Sequence, residues 1–276
     1  MRVTDYAWLC ALLASHAGAQ LPETVHFPSA DGTTTLVGYL WLPQGGGKHP
    51  AIVMMHGRAG SYSSNAQGVY TAATLSKRHQ AWGVFWAEHG YVALHVDGFG
   101  PRGYPAGFPR FSYKDRPEAV SEQTVRPLDA YGALAFLRGR PDVIADRIGL
   151  QGWSNGGSAT LVTMSVRAPG IAEHAPASGF RAALAFYPGC DLSLYKQRYT
   201  SYAPLLVFLG SADEEVSPAI CERVIPQNSR SRWIVYPGAT HDFDDPGASR
   251  QSVAANRAAS DDAHERAAAF FKAQLQ

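Results

Sequence analysis

The chain has 276 residues, of which 46% are hydrophobic and 17% are charged, and its formal net charge is +1. A chain of this length can bury a large core in one α/β domain. The near-neutral charge, with no block of like charges in the sequence, argues against a nucleic-acid groove and against a polybasic membrane surface.

Residues 1–19 have the composition of a secretory signal peptide. Arg2 precedes an apolar stretch over residues 6–14, and Ala17-Gly18-Ala19 fits the small-residue pattern before a cleavage site. The stretch is too short to span a bilayer, and the alternative is a buried N-terminal helix. We therefore expect an exported protein, periplasmic or secreted, in which residues 20–276 form a single domain without a membrane-spanning segment.

Export would remove Cys10 and leave Cys190 and Cys221 in the mature chain. Two cysteines in an oxidising compartment can form a disulfide. The alternative is two separate buried thiols, because a free cysteine packs as a small hydrophobic residue. Neither cysteine has a paired histidine at zinc-ligand spacing, so the sequence predicts no metal site.

The predicted elements begin with two apolar segments, residues 25–27 and 36–41, which flank Ala30-Asp31-Gly32, a sequence typical of a β-hairpin turn. Further along, apolar runs without alternation are separated by stretches of helical pattern. The runs cover residues 51–55, 91–96, 147–151, 182–187, 205–209 and 233–236, and the helical stretches cover 78–89, 128–137, 156–167, 218–225 and 254–273. We therefore predict an α/β fold with a doubly wound, mostly parallel sheet, flanked by helices, and an antiparallel N-terminal hairpin at its edge.

Residues 98–123 fit no regular element. The segment contains five aromatic residues, four prolines and several charges. Connections of this length are typically functional loops or disordered, and the aromatic content argues against disorder. Two interpretations remain open: the segment is a wall of a substrate cleft, or it is a surface loop held by its own aromatic side chains.

Gly152-Trp153-Ser154-Asn155-Gly156 matches the pattern G-x-S-x-G, between a predicted strand and a predicted helix. The glycines allow strand and helix to approach closely, and the turn presents the Ser154 hydroxyl at the N-terminus of the helix, where a developing anion is favoured. A serine–glycine turn without a function is the alternative. In this context we predict Ser154 as a nucleophile.

A serine nucleophile needs a base that a third group holds in place. Asp213 follows the predicted strand 205–209, and His241 follows the strand 233–236, so both are expected at the carboxyl edge of the sheet. We predict His241 as the base and Asp213 as the acid that orients it. Glu214 and Glu215 are alternatives to Asp213.

The loop His56-Gly57-Arg58-Ala59-Gly60 follows the strand 51–55. We expect the backbone N–H groups of Arg58 and Asn155 to form an oxyanion hole, with Ala59 as the alternative to Arg58. The Arg58 side chain is expected to be solvated, although it has the reach to bind a substrate carboxylate.

Together these segments resemble the dienelactone hydrolase family of the α/β-hydrolase fold. The resemblance covers most of the chain from about residue 22 and rests on the Gly152 turn, Met55-His56-Gly57, residues 90–103, 210–213 and 238–243. It implies nucleophile, acid and base at Ser154, Asp213 and His241. The namesake enzymes have cysteine where this chain has serine, which favours a carboxylic ester over dienelactone as substrate. Exported relatives of this type look as if they carry cysteines near the positions of Cys190 and Cys221. The resemblance therefore implies a Cys190–Cys221 bridge.

The expected activity is therefore hydrolysis of carboxylic esters, with lactones as further candidates, through an acyl-enzyme on Ser154. The expected partner is a small-molecule ester, and the chemistry needs no cofactor and no metal. Three alternatives remain open: a peptidase, an acyltransferase, or a non-catalytic binding module on a hydrolase scaffold. The sequence makes no prediction about the oligomeric state.

Overall fold

The computed structural model describes residues 21–167, 179–190 and 199–276. The predicted signal peptide and Cys10 lie outside these residues. Within them, no helix combines the length and the apolar character needed to cross a membrane.

One mixed sheet runs through the described residues. Its strands are β1 (Glu23–Pro28), β2 (Thr35–Trp41), β3 (His49–Met55), β4 (Val92–Asp97), β5 (Val143–Trp153), β6 (Ala182–Phe186), β7 (Leu205–Gly210) and β8 (Ser231–Tyr236). Their order across the sheet is β1-β2-β4-β3-β5-β6-β7-β8. β2 pairs antiparallel with β1 and with β4, and all other neighbours are parallel. The predicted fold class is confirmed, including the antiparallel hairpin at the edge.

Helices cover both faces of this sheet. They are α1 (Lys77–Glu88), α2 (Arg126–Arg138), α3 (Asn155–Met164), α4 (Pro218–Val224), α5 (Ala248–Gln251) and α6 (Ala254–Leu275). On one face, Leu134 of α2 and Leu161 of α3 belong to one apolar cluster. On the other, Trp86 of α1 and Phe271 of α6 belong to a second cluster. Because both faces are covered, the central strands are apolar throughout rather than alternating.

Several element ends differ from the predicted ones. β5 begins at Val143, earlier than predicted, because its first half includes exposed polar residues that hide it from an apolar pattern. α2 begins at Arg126, with Pro127 in its first turn, where proline needs no hydrogen-bond partner. α3 ends at Met164, since Ser165 leaves the helix to pair with Ser201.

The structure contains a disulfide between Cys190 and Cys221, with the two Sγ atoms 2.10 Å apart. Both residues are buried in the apolar cluster beside α2 and α3. The bridge joins the loop after β6 to α4. The two cysteines are therefore partners, and not the separate buried thiols that the sequence left as the alternative.

Candidate active site

Ser154 lies at the sharp turn between β5 and α3. Its backbone has φ 50° and ψ −115°, a conformation that a non-glycine residue adopts only under strain. A β-carbon on Gly152 would lie 2.1 Å from the Gly156 carbonyl oxygen, and one on Gly156 would lie 2.1 Å from the Met55 carbonyl oxygen. Neither position can therefore carry a side chain. The turn is locked by this close approach of β3, β5 and α3.

The structure brings Ser154, His241 and Asp213 together at the carboxyl edge of the sheet. Ser154 Oγ lies 3.0 Å from His241 Nε2, and His241 Nδ1 lies 2.8 Å from Asp213 Oδ2. The other oxygen of Asp213 accepts the backbone N–H groups of Glu215 and Val216, at 2.8 and 2.9 Å. This is the geometry in which an imidazole held by a carboxylate can take the proton of a serine hydroxyl.

The two glutamates next to Asp213 occupy other places. Glu214 accepts the backbone N–H of His241 at 3.0 Å. Glu215 lies 3.9 Å from His241 Nε2, on the Ser154 side of the ring. Of the three neighbouring acids, Asp213 is the one that bonds the ring nitrogen turned away from Ser154.

The imidazole of His241 is buried, with 1% of the residue exposed. Burial by itself lowers the pKa of an imidazole. The hydrogen bond with Asp213 and the negative charges of Asp242, Asp213 and Glu215 outweigh burial, so the pKa of His241 is raised above its usual value. A raised pKa makes the neutral ring a stronger base but requires a higher pH to keep it neutral.

The loop that carries His241 is anchored by Asp244, a buried residue three positions later. One carboxylate oxygen of Asp244 accepts the indole N–H groups of Trp82 and Trp153, each at 2.8 Å, and the other accepts the hydroxyl of Tyr187. These donors come from α1, β5 and the end of β6. The sequence alone does not reveal this anchor, since its three donors are 57 to 162 residues from Asp244 along the chain.

The loop after β3 lies against Ser154, where a β-carbon on Gly57 would be 3.4 Å from the Ser154 β-carbon. Two carbonyl groups of the loop are held in place: Gly57 accepts the N–H of Gly60 at 3.1 Å, and Arg58 accepts the N–H of Phe108 at 2.8 Å. The peptide groups next to Ser154 are thus fixed by hydrogen bonds.

Of the two residues predicted to supply oxyanion donors, Asn155 directly follows Ser154, and Arg58 follows Gly57 and lines the same cavity as Ser154. Asn155 is the first residue of α3, so its N–H has no acceptor within the helix. Among the described residues, the Arg58 N–H donates to no backbone carbonyl. With no backbone acceptor in the described part of the chain, each of these N–H groups can donate to a bound oxygen atom.

The Arg58 side chain differs from the expectation of a solvated loop arginine. Its guanidinium makes two 2.8 Å hydrogen bonds to the carboxylate of Glu215 and one of 3.1 Å to the Phe108 carbonyl oxygen. Arg110 binds the same carboxylate at 2.6 Å. Only 15% of the Arg58 side chain and 7% of the Glu215 side chain are exposed. Arg58 is thus one partner of a largely buried ion pair beside His241.

A cavity of about 400 Å³ opens at Ser154 and His241. Most of its other side chains are polar: Tyr62, Ser63, Ser64, Asn65, Ser76, Lys77, Arg78, His79, Asp242 and Asp245. An adjoining cavity of about 290 Å³ is lined by Pro105, Phe108 and Pro109. Part of the segment 98–123 therefore lines a cavity next to the one at Ser154. Phe108 also packs against Phe99 and Tyr104 of the same segment, with ring centres 5.3 Å apart in both pairs, so the structure has features of both interpretations. The segment also contains three short 3-10 helices.

One group of potential metal ligands occurs among the described residues: Glu215, His241 and Asp242 offer ligand atoms within 4.8 Å of one another. Each of the three already has partners in the structure. Glu215 is bound by Arg58, Asp242 by Arg78 at 2.9 Å, and His241 by Ser154 and Asp213. A cation here would have to displace these partners.

A doubly wound sheet with a serine at a G-x-S-x-G turn and a histidine–aspartate pair on the following loops defines the α/β-hydrolase class. Within this class, the chain belongs to the dienelactone hydrolase family, whose profile matches residues 36–275.

The chain is also similar to individual proteins. An uncharacterized protein of Mycobacterium tuberculosis (strain ATCC 25618 / H37Rv) is 28% identical over 218 residues, covering 75% of this chain and 68% of that protein. A dienelactone hydrolase from Anabaena variabilis is 22% identical with a TM-score of 0.62, covering 93% of this chain and 100% of that one. A dienelactone hydrolase-like promiscuous phosphotriesterase from metagenomic libraries is 17% identical with a TM-score of 0.64, covering 92% of this chain and 98% of that one. Thermogutta terrifontis esterase 2 is 19% identical with a TM-score of 0.59, covering 89% of this chain and 93% of that one. At these identities the solved structures establish a shared fold.

Proposed function

We propose that the protein is a serine esterase that hydrolyses carboxylic esters through an acyl-enzyme on Ser154. The observation that carries this proposal is the chain of two hydrogen bonds from Ser154 Oγ through His241 to Asp213, at 3.0 and 2.8 Å. Membership of a hydrolase family supports the same chemistry.

In the proposed reaction, Ser154 Oγ attacks the ester carbonyl carbon while His241 Nε2 takes the hydroxyl proton. The N–H groups of Arg58 and Asn155 stabilise the tetrahedral oxyanion. His241 then gives its proton to the leaving alcohol, and an acyl-enzyme remains on Ser154. Water, activated by His241, attacks the acyl group and releases the acid, and the proton returns to Ser154. Asp213 holds the imidazole in the required tautomer and stabilises its charge.

Small, polar esters are the proposed substrate class, and small lactones fall within the same chemistry. A cavity of about 400 Å³ holds a small molecule, and its lining of hydroxyl, amide and charged side chains gives a long acyl chain little apolar surface to cover. We therefore expect acetyl and butyryl esters to be better substrates than octanoyl or longer esters.

The experiment is a panel of p-nitrophenyl esters, graded by acyl length, assayed with the wild type and with Ser154→Ala. We expect short esters to give the highest kcat/KM and Ser154→Ala to lower kcat by roughly 10³-fold or more. Ser249→Ala, an exposed serine in α5, is the matched control. Ester hydrolysis retained by folded Ser154→Ala would overturn the proposal.

Export also belongs to the proposal. Disulfides persist in oxidising compartments, so the Cys190–Cys221 bridge supports a periplasmic or secreted protein. We expect the mature protein to begin at Gln20, which an intact-mass measurement on protein from the native cells can check. Protein that keeps residues 1–19 and stays inside the cell would contradict the proposal of export.

A further inference from the structure

Arg126 joins the two backbone segments that carry the proposed oxyanion donors. It is the first residue of α2 and is completely buried. Its Nη1 donates to the His56 carbonyl oxygen at 2.7 Å and also to Oδ1 of Asn155. His56 lies two residues before Arg58 on the loop after β3, and Asn155 directly follows Ser154. One guanidinium nitrogen thus ties the two sides of the hole together.

The side chain of Asn155 is held from its other end as well. Its Nδ2 donates to Glu122 Oε2 at 2.7 Å, and both residues are buried. The amide oxygen therefore faces a cation and the amide nitrogen faces an anion, which fixes the orientation of the side chain. Because this side chain is attached to the peptide next to Ser154, the clamp also restrains the N–H of Asn155.

The position of Arg126 is set by tight packing. Its guanidinium carbon lies 4.9 Å from the centre of the Phe99 ring, and a β-carbon on Gly98 would lie 3.5 Å from its Nε. Its Nε and Nη2 have no hydrogen-bond partner among the described residues. A buried cation with two unpaired donors is costly for folding. The hydrogen bonds that Arg126 does make, through Nη1, go to the two segments beside Ser154.

We propose that Arg126 is a positioning residue for the oxyanion hole. It fixes the spacing between the N–H groups of Arg58 and Asn155, and its buried positive charge favours the anion that develops there. This inference rests on the proposed function. Oxyanion donors act at distances suited to the tetrahedral intermediate rather than to the bound ester. A loosened clamp should therefore lower kcat with little change in KM.

The test uses three variants in the full chain. Arg126→Lys keeps the positive charge but loses the planar guanidinium with its several N–H donors, and Arg126→Met removes both. Asn155→Ala removes the amide side chain but keeps the backbone N–H. For each, kcat and KM are measured with a p-nitrophenyl ester, and Ki with a trifluoromethyl ketone, whose adduct with serine carries the oxyanion. Arg138→Met, at the other end of α2, is the control.

We expect each variant to lower kcat by roughly 10- to 100-fold, to change KM by less than about threefold, and to weaken the ketone by the same factor as kcat. The double variant Arg126→Met/Asn155→Ala should have a kcat no lower than that of the less active single variant, because both substitutions act through one clamp. Arg138→Met should match the wild type.

Two results would overturn the inference: kcat and Ki of Asn155→Ala within twofold of the wild type, or a fall in kcat without a matching loss of ketone affinity. Asn155→Ala decides the outcome even if the Arg126 variants do not fold, because it keeps the buried guanidinium and its hydrogen bond to the His56 carbonyl oxygen. Failure of the proposed function itself looks different, since the wild type would then neither hydrolyse esters nor bind the ketone.

Discussion

At the scale of single residues, the imidazole of His241 is surrounded by carboxylates. Asp213 is at Nδ1, Glu215 is 3.9 Å from Nε2, and Asp242 is the next residue in the chain. Burial alone would raise the pKa of Asp242, but the positive charges around it, of which Arg78 is the strongest, together outweigh burial and hold the pKa at about 2. For Glu215, the bonds with Arg58 and Arg110 outweigh burial and lower its pKa. Both carboxylates are therefore charged wherever His241 titrates.

The first prediction concerns Glu215→Gln. A negative charge near Nε2 stabilises the protonated ring, so its removal should lower the pKa of His241. Since activity requires the neutral ring, the acidic limb of the kcat/KM profile should move to lower pH. The profile is measured with one ester between pH 5 and 9, with Glu265→Gln on the exposed side of α6 as control. An acidic limb that stays in place or moves to higher pH would contradict this account of the charges.

Local signals explain which site residues could be predicted from the sequence. Ser154 lies in the G-x-S-x-G motif, and Asp213 and His241 each follow an apolar strand. Their order in the chain and their place at the carboxyl edge of the sheet are therefore sufficient to predict them as site residues. Arg126 has no such signal, because it looks like an ordinary helix arginine until its contact with Asn155, 29 residues away, is known. Arg58 likewise looks like a solvated loop arginine in the sequence, since nothing local indicates its partner Glu215, 157 residues further along the chain.

At the scale of elements, the loop after β8 depends on one carboxylate. Asp244 accepts hydrogen bonds from Trp82, Trp153 and Tyr187, so it fixes the loop against α1, β5 and the end of β6. The apolar runs that predicted the strands contain no information on this contact. The contact of Asp244 with its three donors depends on which strands become neighbours in the sheet. A single buried acid in a loop also leaves no periodic pattern in the sequence that could predict it.

The second prediction is that Asp244→Ala destabilises the protein by roughly 3–5 kcal/mol, because three buried donors lose their acceptor. The free energy of unfolding is measured by urea denaturation at pH 8. Asp261→Ala, an exposed aspartate on α6, controls for the loss of one negative charge. A change below about 1 kcal/mol, similar to that of a surface substitution, would show that Asp244 is not an anchor.

At the scale of the whole molecule, three buried histidines make stability depend on pH. His79 and His95 stack with ring centres 4.1 Å apart, and His56 lies 6.0 Å from His95. Burial, and then the charge of Arg78, lower the pKa of His79 to about 3. Burial also lowers the pKa of His56 and of His95 well below the usual value. The native protein therefore keeps all three neutral under mildly acidic conditions.

The third prediction follows from the direction of these shifts. Below about pH 6.5 the unfolded chain binds protons at these histidines and the native state does not, so stability is lost as pH falls. His241 acts in the opposite sense, because its raised pKa stabilises the native state at low pH. Each of the three histidines should cost about 1.6 kcal/mol between pH 6.5 and 5, and His241 should give back at most about 0.4 kcal/mol. The expected net loss is therefore roughly 4–5 kcal/mol.

Urea denaturation at several pH values measures this loss. His95→Gln should reduce it by about a third, because one of the three groups no longer titrates. His89→Gln, an exposed histidine at the end of α1, should leave it unchanged. Equal stability at pH 6.5 and 5 would mean that the three histidines are protonated in the native state.

The proposed chemistry depends on an activated Ser154, and a fluorophosphonate probe tests this proposal most directly. The mature protein and Ser154→Ala are treated in parallel at pH 8, and the adduct is located by peptide mass spectrometry. The account predicts one adduct, on Ser154, that is absent from the variant. Folded wild-type protein that takes up no probe, or that is labelled at another residue, would contradict it.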